Sequence, residues 1–171
     1  EVGLAFQEVF RDKEDEILEE LAYHFQHSDQ TAKALELAIK AGDRLKAIYA
    51  NDRAYEYYTF VLEKVEGDAA QVHLWVDTQE KLGDLCTIMG RYDVADRSYG
   101  ALLHPDLRKD LDSKRVVKIH IARGKVFEIQ GDYEQALKCF KDARNYLSGF
   151  DRTQLIPERI RVFNSIGWVY V

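Results

Sequence analysis

The sequence predicts an all-α chain built as a series of helix pairs, and three observations lead there. First, four stretches share one spacing: Leu18-x2-Leu21-Ala22-x2-Phe25, Gln79-x2-Leu82-Gly83-x2-Cys86, His120-x2-Arg123-Gly124-x2-Phe127 and Phe163-x2-Ile166-Gly167-x2-Tyr170. Second, one interval separates Gly83 from Gly124, Gly90 from Gly131, Tyr92 from Tyr133, and Ala95 from Ala136. A fixed period of this size, about 41 residues, belongs to helix pairs that each need a neighbour to bury their apolar faces. Third, Pro105 and Pro157 are the only prolines, and no Asn-Gly or Asp-Gly hairpin signal separates alternating segments.

Each element follows from its apolar spacing. Residues 1–13 place Leu4, Ala5, Phe6 and Val9 on a short amphipathic stretch, read as a connector. A first pair spans 14–41: Ile17, Leu18, Leu21, Ala22 and Phe25 form a stripe of helical period, and Ala34, Leu35, Ala38 and Ile39 form the next. His27-Ser28-Asp29 offers capping side chains between them, and Gly42 is expected to end the second helix. A second pair, 43–66, then has room only for a clipped first helix at Leu45–Tyr49, with Asn51-Asp52 capping the partner that carries Ala54, Tyr57 and Tyr58.

The next pairs are regular. In 68–104, Asp68 caps a helix reaching Met89, with Gln71 at capping-box spacing, and the partner starts at Tyr92. In 113–148, Ser113 caps a helix reaching Gln130, and Tyr133 opens its partner. Pro157 suits the first turn of a last, unpaired helix over 157–171. Gly83 and Gly124, and by analogy Ala22 and Gly167, remove a side chain where helices cross. Ala34, Ala54, Ala95 and Ala136 do so from the other helix, with Tyr58, Tyr99 and Phe140 filling the space four residues on. Gly90 and Gly131 read as C-cap glycines, each followed by a tyrosine, Tyr92 or Tyr133, that plugs the corner.

These positions resemble the tetratricopeptide (TPR) family, most closely through Gly124, Phe127, Gly131-Asp132-Tyr133, Ala136, Phe140 and Ala143. Where the family pattern has tryptophan, this chain has Leu18, Gln79, His120 and Phe163. The resemblance implies a right-handed α–α superhelix, a TPR-like solenoid with repeats of about 41 residues, longer than the family's usual repeat. That length resembles kinesin-light-chain-like and maltose-regulon-activator-like proteins. The first part of the chain is similar to a segment of large bacterial signalling ATPases joined to nucleotide-cyclase or kinase domains. Leu21-Ala22-Tyr23-His24-Phe25, Lys33-Ala34-Leu35-Glu36, Lys40-Ala41-Gly42-Asp43-Arg44 and Tyr49-Ala50-Asn51 carry that likeness. It implies a fragment of a larger regulator; the glycine-rich phosphate loop of such an ATPase is not in this sequence.

Composition sets limits on function. The net charge is −6, with 18 acidic against 8 basic residues in 1–80 and 12 against 16 in 81–171. An acidic first half opposes nucleic-acid binding, which needs a basic stripe throughout. No apolar run is long enough to span a bilayer, and Cys86 and Cys139 fall on apolar helical positions, so a reducing, cytoplasmic setting is expected. His24 and His27 lack further ligands at matching spacing, so no metal is expected, and no cofactor either. No activated nucleophile or paired carboxylate stands out, so the chain is not read as an enzyme. His120 is expected to be a hydrogen-bonded core residue, and Trp75 and Trp168 to be packing residues with ligand stacking as their other reading.

Binding is the function this leaves. A groove is expected from first-helix positions facing away from their partners. These are Glu16, Glu19, Tyr23 and Gln26; Asp77, Glu80, Asp84 and Thr87; Lys118, Ile121, Lys125 and Glu128; and Arg161, Asn164 and Trp168. Such a groove would run from acidic to basic and suit a protein or peptide of complementary charge, or a neighbouring domain. The expected role is a protein–protein interaction scaffold or sensory module; the alternative is a sensor for a sugar or nucleotide. A homodimer through the last helix is a further expectation.

Overall fold

The computed structural model describes residues 17–170, and among these every regular element is helical. Glu16 and the expected connector at 1–13 lie outside the described residues. The helices are α1 (Leu18–Gln26), α2 (Thr31–Ala47), α3 (Asn51–Val65), α4 (Val72–Ile88), α5 (Tyr92–Leu102), α6 (Pro105–Arg108), α7 (Ser113–Ile129), α8 (Tyr133–Leu147) and α9 (Ile156–Val169), with a 3-10 turn at Ala69–Gln71. No helix among the described residues is long and apolar enough to cross a membrane. The chain divides into two compact units, the first ending at Leu82 and the second beginning at Gly83, within α4.

In the first unit α1 packs on α2, and α2 on α3. Gly42 does not end a helix, contrary to the expectation from sequence. It lies inside α2, which runs unbroken to Ala47, so the clipped helix at 45–49 does not exist. The reason is a crossing: a Cβ on Gly42 would meet Tyr58 Cε1 at 2.6 Å, so glycine here serves close approach of α3. The chain turns at Tyr49 instead, whose φ is 62°, and Ala50 rather than Asn51 precedes α3, without a side-chain cap. Before α2, Ser28 Oγ donates to Phe25 O (2.9 Å) and accepts from Gln30 N–H (3.2 Å), serving the gap between helices.

With α2 and α3 restored as one full pair, three pairs share a common interval. Their first helices start at Thr31, Val72 and Ser113, and their second helices at Asn51, Tyr92 and Tyr133, evenly spaced in both series. In the second unit Gly83 faces Tyr99 Cε1 (2.8 Å from a built Cβ) and Gly124 faces Phe140 Cε1 (2.3 Å). Ala54, Ala95 and Ala136 are fully buried, and Ala22 and Ala34 are buried too. The tyrosyl rings carry a second constraint. Tyr58 donates to Asp43 Oδ1 (2.7 Å), and Tyr99 donates to Asp84 Oδ1 (2.6 Å), which fixes each ring over its glycine.

Four further expectations need correction. Gly167 meets nothing within 4 Å at its Cβ position, so within the described residues it is not at a crossing. The cap of α7 is Asp112, whose carboxylate accepts from Lys114 and Arg115 N–H, and Ser113 is already helical. Tyr133 is 57% exposed and does not plug the corner; Gly131, with φ 77°, and Asp132, which accepts from Gln135 N–H, make that turn. The carboxylate of Asp68 accepts from Ala70 N–H as expected, but it opens the 3-10 turn before α4.

The buried Phe140 ring cannot retreat from an added methyl. Gly124→Ala should therefore lower unfolding free energy by roughly 1–3 kcal/mol through overpacking, despite the ~1 kcal/mol that alanine gains in a helix. Gly167→Ala, in open space, should instead stabilise by a few tenths to about 1 kcal/mol; urea unfolding of both variants checks the contrast. Tyr49 sits where the other two pairs have Gly90 and Gly131, both at positive φ. Tyr49→Gly should therefore raise the melting temperature, by relief of roughly 1 kcal/mol of left-handed strain.

Candidate functional site

The second unit assembles a cleft on the packing of α7, α8 and α9. Val117 of α7, Ala143 and Leu147 of α8, and Val162 of α9 form one buried cluster, joined by Ile121, Tyr146, Leu155 and Ile166. Arg159 then ties the start of α9 to the end of α8. Its Nη2 donates to the carbonyls of Leu147 (2.8 Å) and Phe150 (2.9 Å), and its Nε donates to that of Gln154 (3.1 Å). Pro157 in the first turn completes the entry, where a missing N–H costs nothing. With both helices anchored, a cleft of about 590 Å³ opens between α7 and α9. Ile121, Lys125 and Glu128 line it from α7, and Arg161, Asn164, Ser165 and Trp168 from α9.

Its electrostatics arise from a change at one repeated position. Lys125 occupies the place that Asp43 and Asp84 hold in the two earlier pairs, and Phe140 the place of Tyr58 and Tyr99. The tyrosyl–carboxylate bond has thus been removed at both ends, and a cation faces the cleft where the other pairs use an anion for packing. Arg161 adds a second cation. Neither they nor Glu128 form an ion pair with another described residue. Trp168, a groove position whose indole was also open to a packing role, is 74% exposed at the cleft's edge. Two cations against the one carboxylate of Glu128 leave the cleft net positive, and with an amide, a hydroxyl and an exposed indole it can hold a carboxylate beside an apolar or aromatic group.

The other predicted site residues do not join this cleft. Glu19 pairs with Arg53 Nη2 in the first unit, and its carbonyl accepts from the Tyr57 hydroxyl (3.4 Å). Tyr23 is exposed on α1, its ring centroid 4.7 Å from that of His27, while His27 Nδ1 lies 2.8 Å from the Tyr23 carbonyl. Asp77 is exposed and Glu80 half-buried on the first-unit part of α4. Asp84 is occupied by Tyr99, and Lys118 is exposed on α7 outside the cleft lining. Ser165 was missed by sequence reading; its signal was helical spacing, four residues after Arg161 and three before Trp168. Trp75 is half-buried. Among the described residues no cluster of three or more His, Cys, Asp or Glu side chains could hold a metal.

The perturbed groups are structural. Burial pushes the Cys86 thiol up to about 11 and raises that of Cys139, keeping both as neutral apolar fillers. His120 is only 7% exposed, and its Nε2 has no hydrogen-bond partner among the described residues, so it is not the bonded core residue expected. Burial first, then Arg108 and Arg123, lower its pKa to about 4 against the opposing pull of Asp142. Arg123 in turn donates from Nε to Asp96 Oδ1 (2.6 Å), linking α7 to α5.

Helix pairs with small residues at their crossings place this chain in the broad class of all-α proteins. No family profile and no curated protein sequence matches it. Among solved structures it is similar to BtubC (BKLC) from P. vanneervenii, with a TM-score of 0.64 at 22% identity, covering 83% of this chain. The chain spans about 59% of the length of that protein. At this identity the likeness concerns the fold alone.

The His120 shift has a definite sign. Between its ordinary 6.5 and about 4 the unfolded chain holds more protons than the folded one, so stability is complete above 6.5 and lost as pH falls toward 4. Thermal melts of wild type should fall more steeply across that window than those of His120→Leu, by on the order of 2–3 kcal/mol in unfolding free energy. Parallel profiles would show that His120 does not titrate differently on unfolding.

Proposed function

We propose that this chain is a TPR-like right-handed helical-repeat module that binds a partner protein, acting as a scaffold or sensory element of a larger regulatory protein. The cleft between α7 and α9 is the contact point, and the partner offers an acidic segment with an aromatic or apolar side chain beside the carboxylate. The observation that carries this reading is the pairing of Lys125 and Arg161, both free of ion pairs among the described residues, next to exposed Trp168. Structural cations in folded proteins are ordinarily paired or solvated away from apolar walls. Here they converge on a concave surface with an indole, which suits recognition better than folding. The likeness to BtubC, a helical protein, supports the repeat architecture and leaves the partner to be identified.

The second reading is a small-ligand sensor, favoured by the cleft volume, which lies in the range of roughly 300–1,000 Å³ common for small-molecule sites. An anionic metabolite would use the same cations. Thermal-shift screening separates the two: a small ligand at about 100 times its Kd stabilises by roughly 2.7 kcal/mol.

The proposal is tested with short fluorescent peptides carrying Glu or Asp beside Phe or Trp. Binding by anisotropy should weaken about tenfold in Lys125→Glu and more in the Lys125→Glu, Arg161→Glu double variant, and should fall as salt rises. Trp168→Ala should also weaken it, with melting temperature unchanged. Binding indifferent to all three substitutions would overturn the assignment of the cleft.

A further inference from the structure

Helix α9 presents three faces, and two are accounted for. Val162 and Ile166 enter the core, and Arg161, Asn164 and Trp168 line the cleft. The third carries Ile156, Ile160, Phe163 and Tyr170, between 51% and 68% exposed, with Gly167 among them. Their spacing of four, three, four and three makes one continuous apolar stripe of helical period. Isolated exposed apolar residues are ordinary, but a stripe along a whole helix marks an interaction surface.

The other first helices show what such a stripe meets. Its counterparts are Leu35, Ala38 and Gly42 on α2, Val76, Gln79 and Gly83 on α4, and Val117, His120 and Gly124 on α7. Ile160, Phe163 and Gly167 keep the spacing of the α7 set, and follow it by the same offset that separates the starts of α7 and α9. The three glycines are buried beneath an aromatic ring of the helix laid upon them, whereas Gly167 is exposed with nothing within 4 Å of its Cβ position. The covering helices share one signature: a fully buried alanine followed four residues later by the ring, in Ala54 and Tyr58, Ala95 and Tyr99, and Ala136 and Phe140. The small residue lets the backbones approach, and the ring occupies the volume a Cβ would need.

We infer that the exposed stripe of α9 is a docking surface for an amphipathic helix bearing alanine and, four residues on, phenylalanine or tyrosine. The aromatic ring would rest on Gly167 and the helix would cover Ile160 and Phe163, repeating the contact that α8 makes on α7. This inference stands on the stripe and its internal counterparts, independent of the charged cleft on the neighbouring face.

The probe is a labelled synthetic peptide with the sequence of Tyr133–Leu147, added to the full chain and followed by fluorescence anisotropy. Saturable binding is expected, weakened at least about tenfold by Phe140→Ala in the peptide and by Gly167→Leu or Ile160→Asp in the chain. Gly167→Leu should leave the melting temperature within a degree or two, since its side chain enters open space, and Lys125→Glu should leave peptide affinity unchanged. Peptide that fails to bind at high micromolar concentration, or that binds Gly167→Leu as well as wild type, overturns the inference. Self-association in sedimentation that Gly167→Leu abolishes, without peptide binding, would give the surface to a second copy of this chain and overturn it equally.

Discussion

Three aromatic rings occupy the volume that three glycine side chains would need, and the rest of this structure depends on that exclusion. Tyr58 over Gly42, Tyr99 over Gly83 and Phe140 over Gly124 bring paired helices closer than side chains otherwise permit. Close approach excludes water from long first helices that would be marginal alone, since isolated helices of this length gain little from their own hydrogen bonds. It also fixes register. A ring that must meet one glycine cannot slip by a turn without driving a Cβ into an occupied site. The constant repeat interval, kept by helix starts as well as by the crossing residues, is the outcome of that restriction.

A constraint that strong makes departures from it informative. Two pairs hold their ring with a tyrosyl–aspartate hydrogen bond, whereas the third has phenylalanine and lysine at the same positions. Losing the aspartate alone would have left the hydroxyl of a buried tyrosine poorly satisfied, a cost of about 1–3 kcal/mol. Changing both removes that cost and releases the helix position for another use. Lys125 stands at the released position and faces the cleft with Arg161 and Trp168. Its charge is therefore not needed for packing, and this separation of roles makes a binding reading stronger here than at Asp43 or Asp84.

Much of this was legible in the sequence, for physical reasons that can be named. Gly83, Gly124, Ala95 and Ala136 announced themselves because a crossing tolerates few residues, so identity recurs. Six of the predicted groove positions, Ile121, Lys125, Glu128, Arg161, Asn164 and Trp168, line one cleft because helical period alone decides which way they face. Gly42 was misread for a local reason: glycine followed by polar residues is also how a helix ends. Only its partner at Tyr58, distant in sequence, distinguishes a crossing glycine from a terminating one. Tyr49 compounded the error by taking a left-handed turn that the other pairs assign to glycine. His120 was expected to be bonded, yet an orphaned ring nitrogen leaves no trace in spacing or composition.

Gly167 shows how the same residue can be right in pattern and unpartnered in place. Its spacing to Phe163 and Tyr170 matches that of Gly124 to His120 and Phe127, but the ring that gives Gly124 its purpose has no counterpart over Gly167 among the described residues. A glycine in a solvent-facing helix interior carries a helix-propensity cost of about 1 kcal/mol relative to alanine. In the other pairs that cost is offset by the burial of an aromatic side chain, which contributes roughly 1.5–3 kcal/mol. For α9 the helix inferred to lie over Ile160 and Phe163 would supply that offset. The unmet glycine and the exposed stripe are thus one observation seen from two sides, and both are explained by the same occupant.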